Sequence, residues 1–494
     1  MKNKAFSLRD IVKLSSNPEL SEPYVRYLCG LEREAQYRHQ EIKDIEALLG
    51  SIKVESEKLD GFLYGYVVPQ LNKEFDLLKI TKNACINIEL KSEEIPTEKQ
   101  KRQLVQNLHY LRLLNKSELL SFSFVSSTKK VFKINKVGEM VECSIKDLEL
   151  LISSLDENEN IDLNTIFVPK NTLVSPLNST ERFLREDYLL TEHQEDIRKA
   201  VVGSVKTNTQ GRFFGITGGP GTGKTLLIYD IARALSKTLK ILIVHSGILC
   251  DGHLKLNEKL NNIKIISAKE LRLREIKDVD IVIVDEAHRL YTDSLSKVER
   301  WVEKSKASCL FSYDAGQTLS ASEKRRKNAE KIDFLCGKST YKLTNKIRTN
   351  KELALFITCL LDLTKYRDEY SFPSVNVIYE PNKRVAHQRA KDLASQDYTY
   401  ISYTPSIFNP ELDYQISEYN THNVIGQEFE GVCMVLDKNW FYESGRLMAS
   451  THPNPDYLFN QLLYQGLTRV RSKLALIVCS ENVLQGIMLL LKNN

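Results

Sequence analysis

Two groups of residues in this chain have types and spacings that can do chemistry. The first is Gly218-Gly219-Pro220-Gly221-Thr222-Gly223-Lys224-Thr225. Glycines at 218, 219, 221 and 223 let backbone N–H groups turn toward one point, and such a turn cradles phosphate oxygens. Lys224 is placed to reach the outer phosphates of a nucleotide, and Thr225 to ligate the accompanying magnesium. Downstream, Asp285 and Glu286 close the apolar run 281–284. Acids at the tip of a parallel strand lie beside the ligand in this architecture. Asp285 would hold magnesium through water, and Glu286 would orient or deprotonate the attacking water. The second group is Asp76 with Glu89 and Lys91. Side chains two apart share a strand face, so Glu89 and Lys91 stand together. Asp76 on a neighbouring strand completes a carboxylate pair able to hold a hard divalent ion. The lysine would orient water and offset phosphate charge, as phosphodiester hydrolysis requires. An exposed cross-strand ion pair is the alternative for these three residues.

Both groups need elements to hold them. Around the second, 74–80 and 85–91 read as strands joined by a polar turn, 98–115 as a helix, and 122–125 with 130–134 as another strand pair. Upstream, Leu31, Tyr37, Ile42, Ile45 and Leu48 form one stripe at helical spacing. Residues 155–180, rich in Asn, Asp, Ser and Pro, read as a connector, although Ile166-Phe167-Val168 is not linker-like. Around the first group, apolar runs at 212–217, 239–244, 263–267, 279–284 and 309–313 alternate with helix-compatible stretches. A second set comes at 375–379, 398–403, 432–436 and 474–478. That alternation predicts mostly parallel sheets with helices on both faces.

At 494 residues the chain exceeds one ordinary core, so several domains are expected: 1–154, a connector 155–185, and lobes at 186–345 and 346–494. The composition, 42% hydrophobic and 27% charged, is that of a globular protein, and a net charge of +5 neither demands nor excludes a nucleic-acid partner. The nine cysteines include no C-x-x-C pair, which argues against a zinc knuckle or a disulfide framework. Free thiols in a reducing cytosol, hence a cytoplasmic protein, are expected. No stretch approaches the roughly 20 apolar residues of a membrane span, so no membrane association is expected.

Several segments resemble a known family. Asp285-Glu286-Ala287-His288 is similar to the acidic motif of helicase-like ATPases, and the others fit superfamily 1. Leu190-Thr191-Glu192-His193-Gln194 resembles the segment whose glutamine reads the adenine edge, which assigns Gln194 to that role. Asp314-Ala315-Gly316-Gln317 resembles the γ-phosphate sensor, through Gln317. Leu343-Thr344-Asn345-Lys346-Ile347-Arg348 resembles the motif opening the second lobe, with Arg348 directed to the phosphates. Ile425-Gly426-Gln427-Glu428-Phe429-Glu430-Gly431 resembles the motif touching sugar and nucleic acid, through Glu428. Tyr464-Gln465-Gly466-Leu467-Thr468-Arg469-Val470-Arg471 resembles the last motif, whose Arg469 would complete the ATP site from the second lobe. Arginines from a facing lobe offset the charge that builds on the γ-phosphate.

Residues 186–494 as a whole resemble compact superfamily 1 helicase-like ATPases of the Schlafen-related, DUF2075 type. The resemblance implies ATP and Mg2+, a nucleic-acid partner, and two RecA-like P-loop NTPase lobes that close on ATP. Only about 245 residues separate Lys224 from Arg469. That leaves little room for the insertions of large translocating helicases; sensing, short-range translocation and remodelling stay open. Ser246 falls where the resembling enzymes contact a strand, and His288 would link the ATP state to that contact. Lys324-Arg325-Arg326-Lys327 reads either as a phosphate-tracking run or as a solvated helix face. Tyr398, Tyr400 and Tyr403 read as core and strand surface, with base stacking by one ring as the alternative.

The group at 76–91 resembles the PD-(D/E)xK nucleases, with Phe75 where the strict motif has proline. Gln106 and Tyr110, four apart on a helix, resemble the Q-x-x-x-Y element of RecB-like nucleases. The family also carries an acid on an early helix; Glu34, Glu41 and Glu46 are candidates, with Glu41 favoured by its mid-helix position. The expectation is an α/β protein with an N-terminal restriction-endonuclease-like domain followed by two RecA-like lobes. Its function would be that of a magnesium-dependent endonuclease (manganese also serving) coupled to the ATPase. DNA is preferred to RNA, and the resemblance implies defence against foreign nucleic acid or repair, with an oligomer or a defence-system partner protein left open. The alternatives are an ATP-switched sensor or scaffold with an inactive nuclease-like domain, and a helicase or translocase without nuclease activity.

Overall fold

The computed structural model describes residues 4–30, 37–68, 73–135, 137–159, 161–167, 174–188, 190–207, 212–305, 307–344, 351–404, 417–450 and 457–492. The chain divides into two compact units, Met1–Asn171 and Thr172–Asn494.

The first unit is built on a six-stranded sheet in sequence order: β1 (Phe62–Val68), β2 (Lys73–Ile80), β3 (Ala84–Lys91), β4 (Glu118–Val125), β5 (Lys130–Ile134) and β6 (Met140–Cys143). Strands β1, β2 and β3 form an antiparallel meander. The helix Thr97–Leu111 then carries the chain over so that β4 lies parallel to β3, since parallel neighbours need a crossover rather than a hairpin. Strands β5 and β6 return antiparallel. Strand β3 is buried along nearly its whole length, as befits a strand covered on both faces. The helix His39–Leu49 buries Ile42, Ile45 and Leu48, the stripe expected there, while Leu31 lies outside the described residues.

The stretch read as a connector is structured at both ends. Asn158 bridges to Thr81, and Phe167 is fully buried with its ring 6.0 Å from that of Tyr66. From 174 onward the chain belongs to the second unit. Val174, Leu177 and Phe183 enter its core, and Phe183 stacks 5.1 Å from Tyr188. A few apolar anchors in polar surroundings outweigh the loop-like composition.

The second unit holds two parallel sheets. One contains β7 (Phe213–Gly218), β8 (Ile241–His245), β9 (Ile263–Ser267), β10 (Ile281–Asp285), β11 (Ser308–Tyr313) and β12 (Thr340–Leu343), ordered β12-β7-β11-β10-β8-β9. All its pairings are parallel. Alternation along each strand feeds two cores. Ile243, Ile281, Ile283 and Leu310 pack with the helix Lys224–Leu235 on one face. Val244, Val282, Val284 and Phe311 pack with the helix Thr292–Ser305 on the other. Helices on both faces are what continuous apolar strands require. The other sheet contains β13 (Val375–Tyr379), β14 (Thr399–Ser402), β15 (Tyr419–Asn420), β16 (Phe429–Leu436) and, beyond the antiparallel hairpin β17 (Trp440–Glu443) and β18 (Arg446–Ala449), β19 (Val470–Val478). Its order is β13-β19-β16-β14-β15, again parallel. No helix among the described residues is long and apolar enough to cross a membrane.

Ile283 is fully buried in β10. Ile283→Ala is expected to cost about 2–5 kcal/mol, from lost transfer energy and the cavity left behind. Phe334→Ala, at a residue 87% exposed, is expected to stay within about 0.5 kcal/mol. Urea denaturation of both variants checks the pair.

Candidate functional site

Strand β7 delivers the chain to Gly218, where a Cβ would come within 2.6 Å of the Leu343 carbonyl oxygen, so a side chain is excluded. The loop then turns through left-handed φ values of 72° at Gly221 and 86° at Gly223, which glycine adopts without steric cost. The helix Lys224–Leu235 begins immediately, presenting its N-terminal N–H groups to the loop. Lys224 Nζ donates to the carbonyls of Gly218 (2.7 Å) and Gly219 (3.0 Å). Strand β10 ends at Asp285, whose parallel register sets it beside His245 at the end of β8. Asp285 is fully buried, and Thr225 Oγ1 donates to its Oδ2 at 3.5 Å. Glu286 comes next at φ 53°, a left-handed conformation that costs a non-glycine residue about 1 kcal/mol or more and persists only where surrounding packing imposes it.

The loop, Glu286 and Gln317 share one cavity with Gly426, Glu428 and Arg469 from the second sheet's lobe. Arg469 is 6% exposed, with Nε donating to the Gln465 carbonyl at 3.2 Å and NH1 to the Gln427 carbonyl at 3.3 Å. Burial alone would raise the Glu286 carboxyl; His288, Lys224, Arg289 and Arg469 outweigh it and hold it down at about 2. Burial pushes His288 itself below its usual value. It is therefore neutral at pH 7, and the three cations are the lasting source of that field. The His288 ring spans two motifs: Nδ1 accepts from the Asp314 N–H at 3.2 Å, and Nε2 donates to the Gln317 carbonyl at 3.2 Å. Glu286 Oε2, Asp314 Oδ2 and Gln317 Nε2 are buried without a protein hydrogen-bond partner. Buried polar atoms are normally paired. A magnesium-bound nucleotide and an attacking water would supply the missing partners, so the residues fit such a ligand.

The other expected site residues of this unit are more varied in their placement. Gln194 is 1% exposed, and its carboxamide is engaged by the protein at both ends. Oε1 accepts from the Thr191 N–H at 3.0 Å, and Nε2 donates to the Thr222 carbonyl at 3.1 Å. Here it braces the phosphate loop. Glu428 accepts from Arg471 at 3.2 Å, and its backbone N–H donates to Asn178 Oδ1 at 2.8 Å. Ser246 is buried, with its N–H donating to the Asp285 carbonyl at 3.1 Å and its hydroxyl without a protein partner. Arg348 lies outside the described residues. In the basic run, Lys324 and Arg325 are exposed. Arg326 instead turns inward, donating to the Arg289 and Leu290 carbonyls and lying 4.6 Å over the Tyr291 ring. Tyr400 and Tyr403 are core residues, Tyr403 stacking 5.9 Å from Trp440. Tyr398 carries Lys473 over its ring at 4.4 Å.

In the first unit, the antiparallel register that sets Leu77 opposite Ile88 brings Asp76 to Glu89. Asp76 Oδ2 accepts from the Leu90 N–H at 2.8 Å, and Lys91 Nζ lies 3.9 Å from Asp76 and 3.7 Å from Glu89. Both acids are buried, which argues against the exposed cross-strand pair. Burial, then the charge of Glu89, push the Asp76 carboxyl well up, with Lys91 drawing it back. Glu41 adds to that push but is itself held by Arg38 (2.6 Å) and Tyr64 (2.8 Å). Glu46 accepts from Ser15 at 3.2 Å, and Glu34 lies outside the described residues. The helix Thr97–Leu111 contributes differently from the expectation. Gln103 and Asn107 donate to Glu89, the latter at 2.6 Å, while Gln106 does not reach it and Tyr110 is buried. The contacting pair is still four apart, but displaced along the helix by about one turn. No group of three or more His, Cys, Asp or Glu able to hold a metal occurs among the described residues. The fit to a metal is thus incomplete among the described residues: two carboxylates and a lysine, with no third protein ligand among them.

Residues 212–377 match the family described as Schlafen group 3, DNA/RNA helicase domain. Among solved structures, the chain is similar to one of two coordinating Pif1 helicases at forked double-stranded DNA, with 12% identity and a TM-score of 0.33 over 58% of this chain and 92% of that one. It is also similar to Pif1 helicase from Candida albicans, with 12% identity and a TM-score of 0.32 over 62% of this chain and all of that one. No curated protein matches the chain. The family match, which lies within the second unit, supports a helicase-like ATPase there.

Beside Asp285, the His245 and His253 rings lie 4.3 Å apart. Burial, with His245 adding to it, pushes His253 down to about 2. The unfolded chain takes up this proton as pH falls below about 6.5 and the native state does not, so stability is full above pH 6.5 and declines below it. His253→Gln is expected to reduce that decline by about 1 kcal/mol per pH unit between pH 5.5 and 4.5, measured by urea denaturation across the range.

Proposed function

We propose that this protein is a nucleic-acid-dependent ATPase of the superfamily 1 helicase-like class. The observation that carries the reading is the shared cavity in which Lys224 and Glu286 of one lobe meet Arg469 of the other. The phosphate loop would hold the phosphates, with Lys224 on the outer ones. Thr225 and Asp285 would hold magnesium, which supplies charge neutralisation when bound. Glu286, kept ionised by its cationic surroundings, would orient or deprotonate the attacking water. Arg469 and Arg348 would offset charge from the second lobe, and Gln317 would report the γ-phosphate. Ser246, next to Asp285, is assigned to the nucleic-acid strand, with DNA preferred to RNA. The sequence distance between the two lobes' motifs favours local remodelling or sensing over processive unwinding.

A second activity is proposed for the first unit: metal-dependent phosphodiester cleavage. Supporting it are the buried approach of Asp76, Glu89 and Lys91 across β2 and β3, and the amide donors Gln103 and Asn107 that fix Glu89. Asp76 and Glu89 would be the protein ligands to magnesium or manganese. No step is assigned to that metal, since the described residues supply no third ligand.

Purified protein incubated with labelled single-stranded and duplex DNA and RNA, with magnesium or manganese and with or without ATP, tests both parts. Lys224→Ala is expected to lower ATP turnover at least about 100-fold, as loss of an electrostatic stabiliser does. Lys91→Ala is expected to abolish cleavage while leaving ATP turnover intact. Cleavage that survives Lys91→Ala would reject the second activity, and ATP turnover indifferent to nucleic acid would reject the motor reading.

A further inference from the structure

Asn178 lies outside every motif, in the stretch whose composition reads as a connector. Asn178 is held in a turn by Ser175: its N–H donates to Ser175 Oγ at 3.4 Å, and that hydroxyl donates to Asn178 Oδ1 at 3.1 Å. From this turn the amide reaches a segment 250 residues away in sequence. Oδ1 accepts from the Glu428 backbone N–H at 2.8 Å, and Nδ2 donates to Gln427 Oε1 at 3.3 Å. The Gln427 carbonyl in turn accepts from Arg469 NH1 at 3.3 Å, and the Arg469 carbonyl accepts from the Phe429 N–H at 2.9 Å. Asn178 therefore grips both residues of the turn on which the Arg469 guanidinium rests.

The grip is anchored on the first lobe as well. A Cβ on Gly252 would lie 2.0 Å from the Leu177 carbonyl oxygen, and a Cβ on Gly426, at φ 77°, would lie 3.1 Å from Leu177 Cδ1. Leu177 is thus packed between glycines of the two lobes, and the adjacent Asn178 is positioned by that wedge. The stretch spans the two lobes and touches the arginine's support.

We propose that Asn178 is a positioning residue for nucleotide discrimination. It holds the Gln427–Glu428 turn so that Arg469 faces the outermost phosphate, and so favours ATP over ADP. This rests on the nucleotide reading of the cavity given above. Asn178 is exposed, so its truncation opens no cavity in the core.

The test is a double-mutant cycle on the full chain, read by equilibrium binding of fluorescent ATP and ADP analogues, with thermal melts as the folding control. Asn178→Ala is expected to lower the ATP-over-ADP preference about fivefold, the size of one lost hydrogen bond, while leaving ADP affinity unchanged and a single cooperative melt in place. Arg469→Ala is expected to lower the preference further, and the double variant to match Arg469→Ala alone, because the two residues act through one contact. An unchanged preference in Asn178→Ala, or additive effects in the double variant, overturns the inference while leaving the nucleotide site standing. Wild-type protein that binds neither analogue overturns the nucleotide reading and the inference together.

Discussion

Parallel alignment of the buried strands β7, β8, β10 and β11 is the constraint on which the second unit depends. Because these strands run the same way, their C-terminal ends emerge along one edge. Gly218, His245, Asp285 and Tyr313 are the last residues of four separate strands, far apart in sequence. Each strand leads directly into polar chain: the phosphate loop, Ser246, Glu286 and Asp314. Apolar side chains on both faces of the sheet fix strand register, and register fixes which polar groups meet. The strand register that packs Ile283 and Val284 into opposite cores also sets Asp285 beside His245, whose Nδ1 lies 3.5 Å from Asp285 Oδ2.

Charge then has to be balanced where those ends meet. Asp285 and Glu286 are both buried, and burying unpaired carboxylates is costly. Lys224, Arg289 and Arg469 hold Glu286 ionised, and Arg289 is in turn paired with Glu323 at 3.2 Å. The cation from the second lobe therefore belongs to the electrostatic balance of the first. Moving Arg469 away would leave Glu286 less compensated, so lobe position and the ionisation of the candidate base are physically linked.

The sequence reveals this edge because each component leaves a local pattern. Glycine spacing at 218–223, an apolar run ending in two acids, and continuous Ile/Val strands can all be read within short windows. Strands β12 and β15 escaped notice because they are short and carry too few apolar residues to form a pattern. β1 escaped because Gly65, at φ 57°, interrupts its run. Asn178 escaped for a different reason: nothing in a Ser-Pro-Leu-Asn-Ser stretch states which carbonyl or N–H, 250 residues away, its amide will meet. The helix at 97–111 is an intermediate case. The helix itself is legible in the sequence, but Gln103 and Asn107 meet Glu89, not the Gln106 and Tyr110 that the motif resemblance points to. Helical phase relative to a sheet is decided by packing of residues such as Leu104 and Leu111, which local spacing does not encode.

The first unit buries a carboxylate pair in its sheet. Asp76 and Glu89 lie together in a buried position with one lysine between them. Like charges at close range resist joint ionisation, and burial makes this worse. The unit answers with neutral donors: Leu90 N–H to Asp76, and the amides of Asn87, Gln103 and Asn107 to Glu89. Asp76 receives one such bond, and its carboxyl remains pushed well up. An arrangement meant only for stability would be served as well by apolar residues, since replacing a buried ion pair by packed side chains is often neutral or favourable. Two acids and a lysine are retained here all the same, with most of the donors organised around Glu89, so that Asp76 is left as the acid whose ionisation costs more.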